Sequence, residues 1–125
     1  MMTDAASLTI DSIVPIVPDP AKGFVPPLSD YKILSADWVE KEFHCAEVAT
    51  HRVTVGFWTG EPGHIVLDPW RYTEVCSILT GRVAIVDRQG GRREFGPGDG
   101  FVVPKGFIGE WLTLEPSSKI FLAIY

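Results

Sequence analysis

Residues 73–103 read TEVCSILTGRVAIVDRQGGRREFGPGDGFVV, and the punctuation of this stretch decides the fold. Thr73–Thr80, Arg82–Asp87, Arg92–Phe95 and Gly100–Val103 are short runs rich in Val, Ile, Thr and Phe. Such runs bounded by glycine and proline read as β-strands. Gly90-Gly91 lies between the second and third runs, where a tight hairpin needs residues that tolerate positive φ. Gly96-Pro97-Gly98-Asp99 and Pro104-Lys105-Gly106 are further turn signals.

The same pattern extends both ways. Thr50–Thr59, Ile108–Leu114 and Lys119–Tyr125 also read as strands, and only Ala36–Phe43 suggests a helix, one or two turns long with Asp37 as its cap. Glycine (12) and proline (10) are abundant, above their usual combined share of about 12%. About eight short antiparallel strands then imply an all-β barrel or sandwich such as a jelly roll. Residues 31–125 are expected to form it. Residues 1–30 hold five of the ten prolines, interleaved with Ile13, Val14, Ile16, Val17, Phe24 and Val25. Proline excludes a helix or a central strand, so this segment is expected to be an extended arm laid on its own barrel or a partner's.

The chain has 125 residues, room for one domain. Its 46% hydrophobic content excludes general disorder. Lys+Arg 11 against Asp+Glu 16 gives a net charge of −5, which argues against phosphate-backbone binding and a basic membrane-surface helix. No apolar run approaches the roughly 18 residues of a membrane helix. Two cysteines are too few for a disulfide framework, and the N-terminus makes a poor secretory signal. A cytoplasmic protein without nucleic-acid or membrane partners is the expectation.

Strand alternation puts Asp68, Trp70, Tyr72, Glu74, Cys76 and Ile78 on one side. Carboxylates among large aromatics are anomalous in a core but suit a pocket with apolar walls and a few placed polar groups. Gly109, Trp111 and Thr113 offer a second wall, and Trp58 a third. Trp58, Asp68, Trp70, Tyr72, Glu74, Cys76 and Trp111 are therefore the candidate ligand-binding residues. Glu74 has three readings: a general acid or base tuned upward by burial, an anchor for a cationic ligand assisted by tryptophan faces, or a hydrogen-bonded brace of the barrel. Cys76 and Cys45 lack a neighbouring base and read as inert thiols. Arg88, Arg92 and Arg93 read as a solvated surface cluster.

Glu74, six residues, then Gly81 resembles the end of the first cupin motif, and Gly98, five residues, then Pro104-Lys105-Gly106 resembles the start of the second. Trp70-x-Tyr72-x-Glu74-Val75-Cys76-x-Ile78-Leu79-x-Gly81, Phe95-Gly96-Pro97-Gly98-Asp99, Val102-Val103-Pro104-x-Gly106 and Trp111 are similar to the small cupins related to the (S)-ureidoglycine aminohydrolase cupin domain. The resemblance spans roughly residues 55–125. It implies a small double-stranded β-helix barrel, usually dimeric, with its site inside. In metal-binding cupins two His and a Glu of the first motif and a His of the second hold a divalent metal. The matching positions here are Asp68, Trp70, Glu74 and Gly109, so one of the four ligands remains. Such metals need three or four converging ligands, with imidazole prominent. No cofactor is therefore expected; were a metal held, Asp68, Glu74 and His64 would be its candidates. The expectation is a small polar or cationic ligand inside an aromatic barrel, in a homodimer joined through the N-terminal arm. The alternative is a ureidoglycine aminohydrolase-like or other hydrolase, lyase or isomerase using Glu74.

Overall fold

The computed structural model describes residues 8–125; residues 1–7 of the proline-rich segment lie outside the described residues. Nine strands follow in order: β1 (Gly23–Phe24), β2 (Ile33–Leu34), β3 (Glu40–Val48), β4 (Val53–Gly60), β5 (Gly63–Leu67), β6 (Thr73–Asp87), β7 (Arg92–Phe95), β8 (Gly100–Val103) and β9 (Gly109–Ile124). Every pairing between them is antiparallel. The described residues contain no helix long and apolar enough to cross a membrane.

Two long strands organise the barrel. The second half of β9 lies between β4 and the first half of β6, and its first half lies between β5 and the second half of β6. β8 extends the first layer and β7 the second, giving the two facing layers of a jelly roll. The runs Thr73–Thr80 and Arg82–Asp87, which the sequence presents as separate strands, are one bent strand. Ile108–Leu114 and Lys119–Tyr125 join likewise. The bends coincide: register shifts between Ile78 and Val83 face the Pro116–Ser118 segment. Gly81 sits there at φ 82°, a conformation that side-chain-bearing residues disfavour. The Ser117 hydroxyl receives the Arg82 N–H (3.0 Å) and donates to the Glu115 carbonyl (2.7 Å), closing the corner.

The sequence expectation of a helix at Ala36–Phe43 fails. Glu40 begins β3, which pairs with β4 from Glu40↔Gly60 to Val48↔Val53. Pairing along a whole strand outweighs the local preference of one or two turns, which cannot stand without tertiary support. Short 3-10 turns occur at Ile10–Ser12, Pro20–Lys22 and Leu28–Asp30. β1 pairs with the edge of β3, the Cys45 thiol contacts the Val17 carbonyl (3.4 Å), and the Lys22 ammonium donates to the Cys45 carbonyl (3.3 Å). The core between the layers gathers Trp58, Trp70, Trp111, Phe121, Val83 and Ile78. Trp111 is its hub, with ring centroids 5.6 Å from Trp58, 6.1 Å from Phe101 and 6.5 Å from Trp70.

Candidate functional site

Alternation along three strands aims charged groups into the barrel. On β6, Glu74, Cys76 and Ile78 are buried while Val75 and Leu79 are exposed. On β9, Trp111, Thr113, Lys119, Phe121 and Ala123 point inward. On β3, Glu40 and Glu42 line the same interior space. Glu74 is 5% exposed and Lys119 4%. They form a buried ion pair, with the Lys119 ammonium 2.5 Å from Glu74 Oε2. The other Glu74 oxygen, Oε1, accepts the Trp70 indole N–H at 3.2 Å. The ammonium lies 4.0 Å from the centroid of the Trp111 ring and 4.9 Å from that of Trp58, within cation–π range.

Burial pulls the Lys119 ammonium down, but the Glu74 carboxylate beside it holds it up and it ends above an ordinary lysine. The Cys76 thiol is pushed up, first by burial, and so stays neutral. Glu40 is pinned from both sides: its Oε1 accepts the Trp58 indole N–H at 2.8 Å and its Oε2 accepts the Tyr31 hydroxyl. Burial, with Glu40 beside it, raises Tyr31 far above an ordinary phenol, so it remains a donor. Glu42 is raised, first by burial, with its hydrogen bond to His44 opposing; the His44 Nε2 to Glu42 Oε1 distance is 2.8 Å.

The free space among these groups is only about 30 Å³, little more than a water molecule occupies. The Lys119 side chain fills the cup. A larger cavity of about 200 Å³ adjoins it at the mouth and shares Tyr31, Glu42, Leu67, Trp70 and Tyr72 with the inner space. Phe24, Pro26, His44 and Tyr125 complete its walls, and Asp30 and Arg71 form a 3.5 Å ion pair at its rim. Trp70 is fixed there by its backbone, whose N–H donates to the Phe107 carbonyl (2.7 Å) and whose carbonyl accepts the Gly106 N–H (2.8 Å).

Of the sequence candidates, Trp58, Trp70, Tyr72, Glu74 and Trp111 come together around this space. Asp68 does not. It lies in the bend before β6 begins, so strand alternation does not extend to it, and it pairs with Lys32 at 2.9 Å. That hydrogen bond holds its carboxyl below the usual range. Cys76 is interior but stands outside the lining. His64 lies on β5 with the parity opposite to Ile65 and Leu67, which line the cup. Asp68, Glu74 and His64 therefore do not converge, and no group of three or more His, Cys, Asp and Glu with metal-holding geometry occurs among the described residues. The motif position of Gly109 also rejects a ligand: a Cβ there would stand 2.3 Å from the Val86 carbonyl and 2.6 Å from the Phe107 ring. Sequence reading missed Lys119, Glu40, Glu42 and Tyr31. Lys119 shares the parity of Phe121 and Ala123, a signal that was available.

The Clostridium difficile EutQ protein is 15% identical, with 77% of this chain and 76% of that one covered and a TM-score of 0.64. A Pseudomonas syringae pv. tomato protein of unknown function is 20% identical, over 81% of this chain and 43% of that one, with a TM-score of 0.71. KdgF from Halomonas is 20% identical, over 70% and 86%, with a TM-score of 0.57. At these identities the likeness is one of fold. No match is found among curated proteins. The model of the EutQ-like cupin domain matches residues 48–121, a span containing β4 to β8, most of β9 and both partners of the buried ion pair, and the chain belongs to that cupin family.

Proposed function

We propose that this cupin binds a small cationic molecule at the mouth of its barrel, with Glu42 as the anchor and Trp70, Tyr72 and Tyr31 as walls. The observation that carries the reading is the charge balance. Glu74 is paired with Lys119, and Asp30 with Arg71. Glu40 has only neutral donors, and Glu42 has only His44, so the cup holds a surplus of carboxylate. An ammonium group would meet that surplus among aromatic rings. Trp38, which lines the inner space, carries the one buried side-chain polar atom without a partner among the described residues, its indole N–H; it suits an acceptor on the same ligand. Titration with methylammonium and tetramethylammonium, followed by tryptophan fluorescence, tests the reading. Saturable binding that falls about tenfold in Glu42→Gln is expected, on the scale of about 1–2 kcal/mol for a charged contact. Binding is also expected to weaken as acid protonates Glu42, at a pH above the ordinary carboxylate value because its pKa is raised. No saturable binding by the unsubstituted chain rejects the proposal.

A catalytic reading of the ureidoglycine aminohydrolase type is favoured by a different residue from Glu74, whose two oxygens are both engaged. Glu42, raised by burial and 2.8 Å from His44, is the better proton-transfer group.

We also propose a homodimer. Ile10 (82% exposed), Ile13 (69%), Val25 (62%) and Leu28 (61%) leave an apolar N-terminal surface bare in one chain. Light scattering is expected to give a dimer mass for the full chain and a monomer mass after deletion of residues 1–30; an unchanged dimer mass excludes that segment as the joint.

A further inference from the structure

We infer that the Lys119 ammonium is the barrel's own resident cation, occupying the place at Glu74 that a divalent metal takes in the metal-binding cupins whose motif spacing this chain resembles. Each motif position has been put to another use. Asp68 is tied to Lys32 outside the cup. Trp70 offers Glu74 a donor, not a lone pair. Gly109 has no space for a side chain. Glu74, the remaining ligand, spends one oxygen on the Trp70 indole and the other on Lys119.

The surroundings suit a fixed organic cation better than an exchangeable ion. A metal asks for several oxygen, nitrogen or sulfur donors converging within about 2.0–2.6 Å. The ammonium instead meets one carboxylate oxygen and the faces of Trp111, Trp58 and Phe121, the last centroid at 5.9 Å. Aromatic faces attract ammonium but do not coordinate zinc or manganese. Glu40 has both oxygens engaged, by Tyr31 and Trp58, and Glu42 has one engaged by His44, so the single open oxygen of Glu42 falls short of the three or four converging donors a metal needs. Lys119 also arrives on β9 beside β6, across the Ile78↔Lys119 pairing. The charge that stitches these strands is therefore covalently attached to one of them and is present from the moment they pair. This inference concerns Glu74 and is independent of the ligand reading at Glu42.

The test uses the full chain, stripped with a chelator and then titrated with zinc, manganese and nickel salts by calorimetry and thermal melting. The expected result is no stoichiometric binding and no rise in melting temperature at concentrations up to about 1 mM, where a site with a micromolar Kd would give a clear shift. In parallel, Lys119→Met and Glu74→Gln are each expected to melt lower than the unsubstituted chain, and the double variant to recover most of the loss, because removing both charges leaves none unpaired. One divalent ion per chain, lost in Glu74→Gln, overturns the inference. So does a Lys119→Met chain as stable as the original, or a double variant that melts at or below both single ones. Should Lys119→Met fail to fold, the double variant and the metal titration still decide.

Discussion

Glu74→Gln is expected to lower the thermal midpoint at neutral pH by about 10 °C or more. Glutamine keeps the shape of the side chain but removes the charge facing an ammonium that is 4% exposed. Breaking a buried pair from one side costs about 3–5 kcal/mol. For a chain of 125 residues unfolding with an entropy of about 2.1 cal/mol/K per residue, this corresponds to about 11–19 °C. The pH dependence gives a second signature. In the unsubstituted chain Lys119 is raised above its ordinary 10.5, so the stability from the pair is complete below that value and lost as pH rises through the raised one. Without the carboxylate, burial, the largest influence on Lys119, pulls its pKa down. The missing stability then returns as the lysine deprotonates, and the deficit of the variant narrows towards alkaline pH. Melting curves by circular dichroism at neutral pH and near pH 10 check both statements. A variant that melts within about 2 °C of the original at neutral pH would show the pair contributes little.

The second large effect is expected at the corner of the barrel. In Gly81→Ala the new Cβ would stand 2.2 Å from Ser117 Oγ and 2.4 Å from the Pro116 carbonyl, at a φ of 82°. The backbone conformation costs about 1–2 kcal/mol, and the collision with backbone atoms adds to it because β9 cannot withdraw without leaving β4 and β6. A total of about 3–5 kcal/mol places the change among the severe ones. Gly98→Ala provides the control. Gly98 has a φ of 88° but open space around its Cβ position, so only the conformational part, about 1–2 kcal/mol, is expected. Urea unfolding of both variants separates the two contributions. Equal losses would mean that the corner yields and that the contact with Ser117 is not limiting.

The barrel was legible because its turns are written locally: Gly81, Gly90-Gly91, Gly98 and Gly106 all adopt positive φ or sit in hairpin positions that few other residues accept. The aromatic lining was legible for a similar reason, since Trp58, Trp70 and Trp111 hold regular parity within their strands. The charged heart was not. Glu74 and Lys119 are 45 residues apart, and a lysine that opens the run Lys119–Tyr125 looks like a solvated strand end until Phe121 and Ala123 are counted with it. Glu40 and Glu42 were hidden by a segment whose acidic cap and spaced charges resemble a short helix. Only pairing with β4, which the local sequence does not announce, converts that spacing into a strand whose alternate side chains enter the cup. Asp68 differs in the opposite sense: Asp68-Pro69 lies in a bend, where the alternation of a strand does not hold.

Because β6 and β9 each serve both layers, neither layer can swing away while the other stays whole; a displacement begun on one side must pass through Thr80–Gly81 and Pro116–Ser117 to its opposite. A molecule bound as proposed would enter past the lightly fastened rim, where β1 contributes two residues and where Phe24 and Pro26 line the same cavity as Glu42. On that reading the threshold would be built from a lightly anchored part of the chain, and departure would be governed there and not by the rigid body behind it.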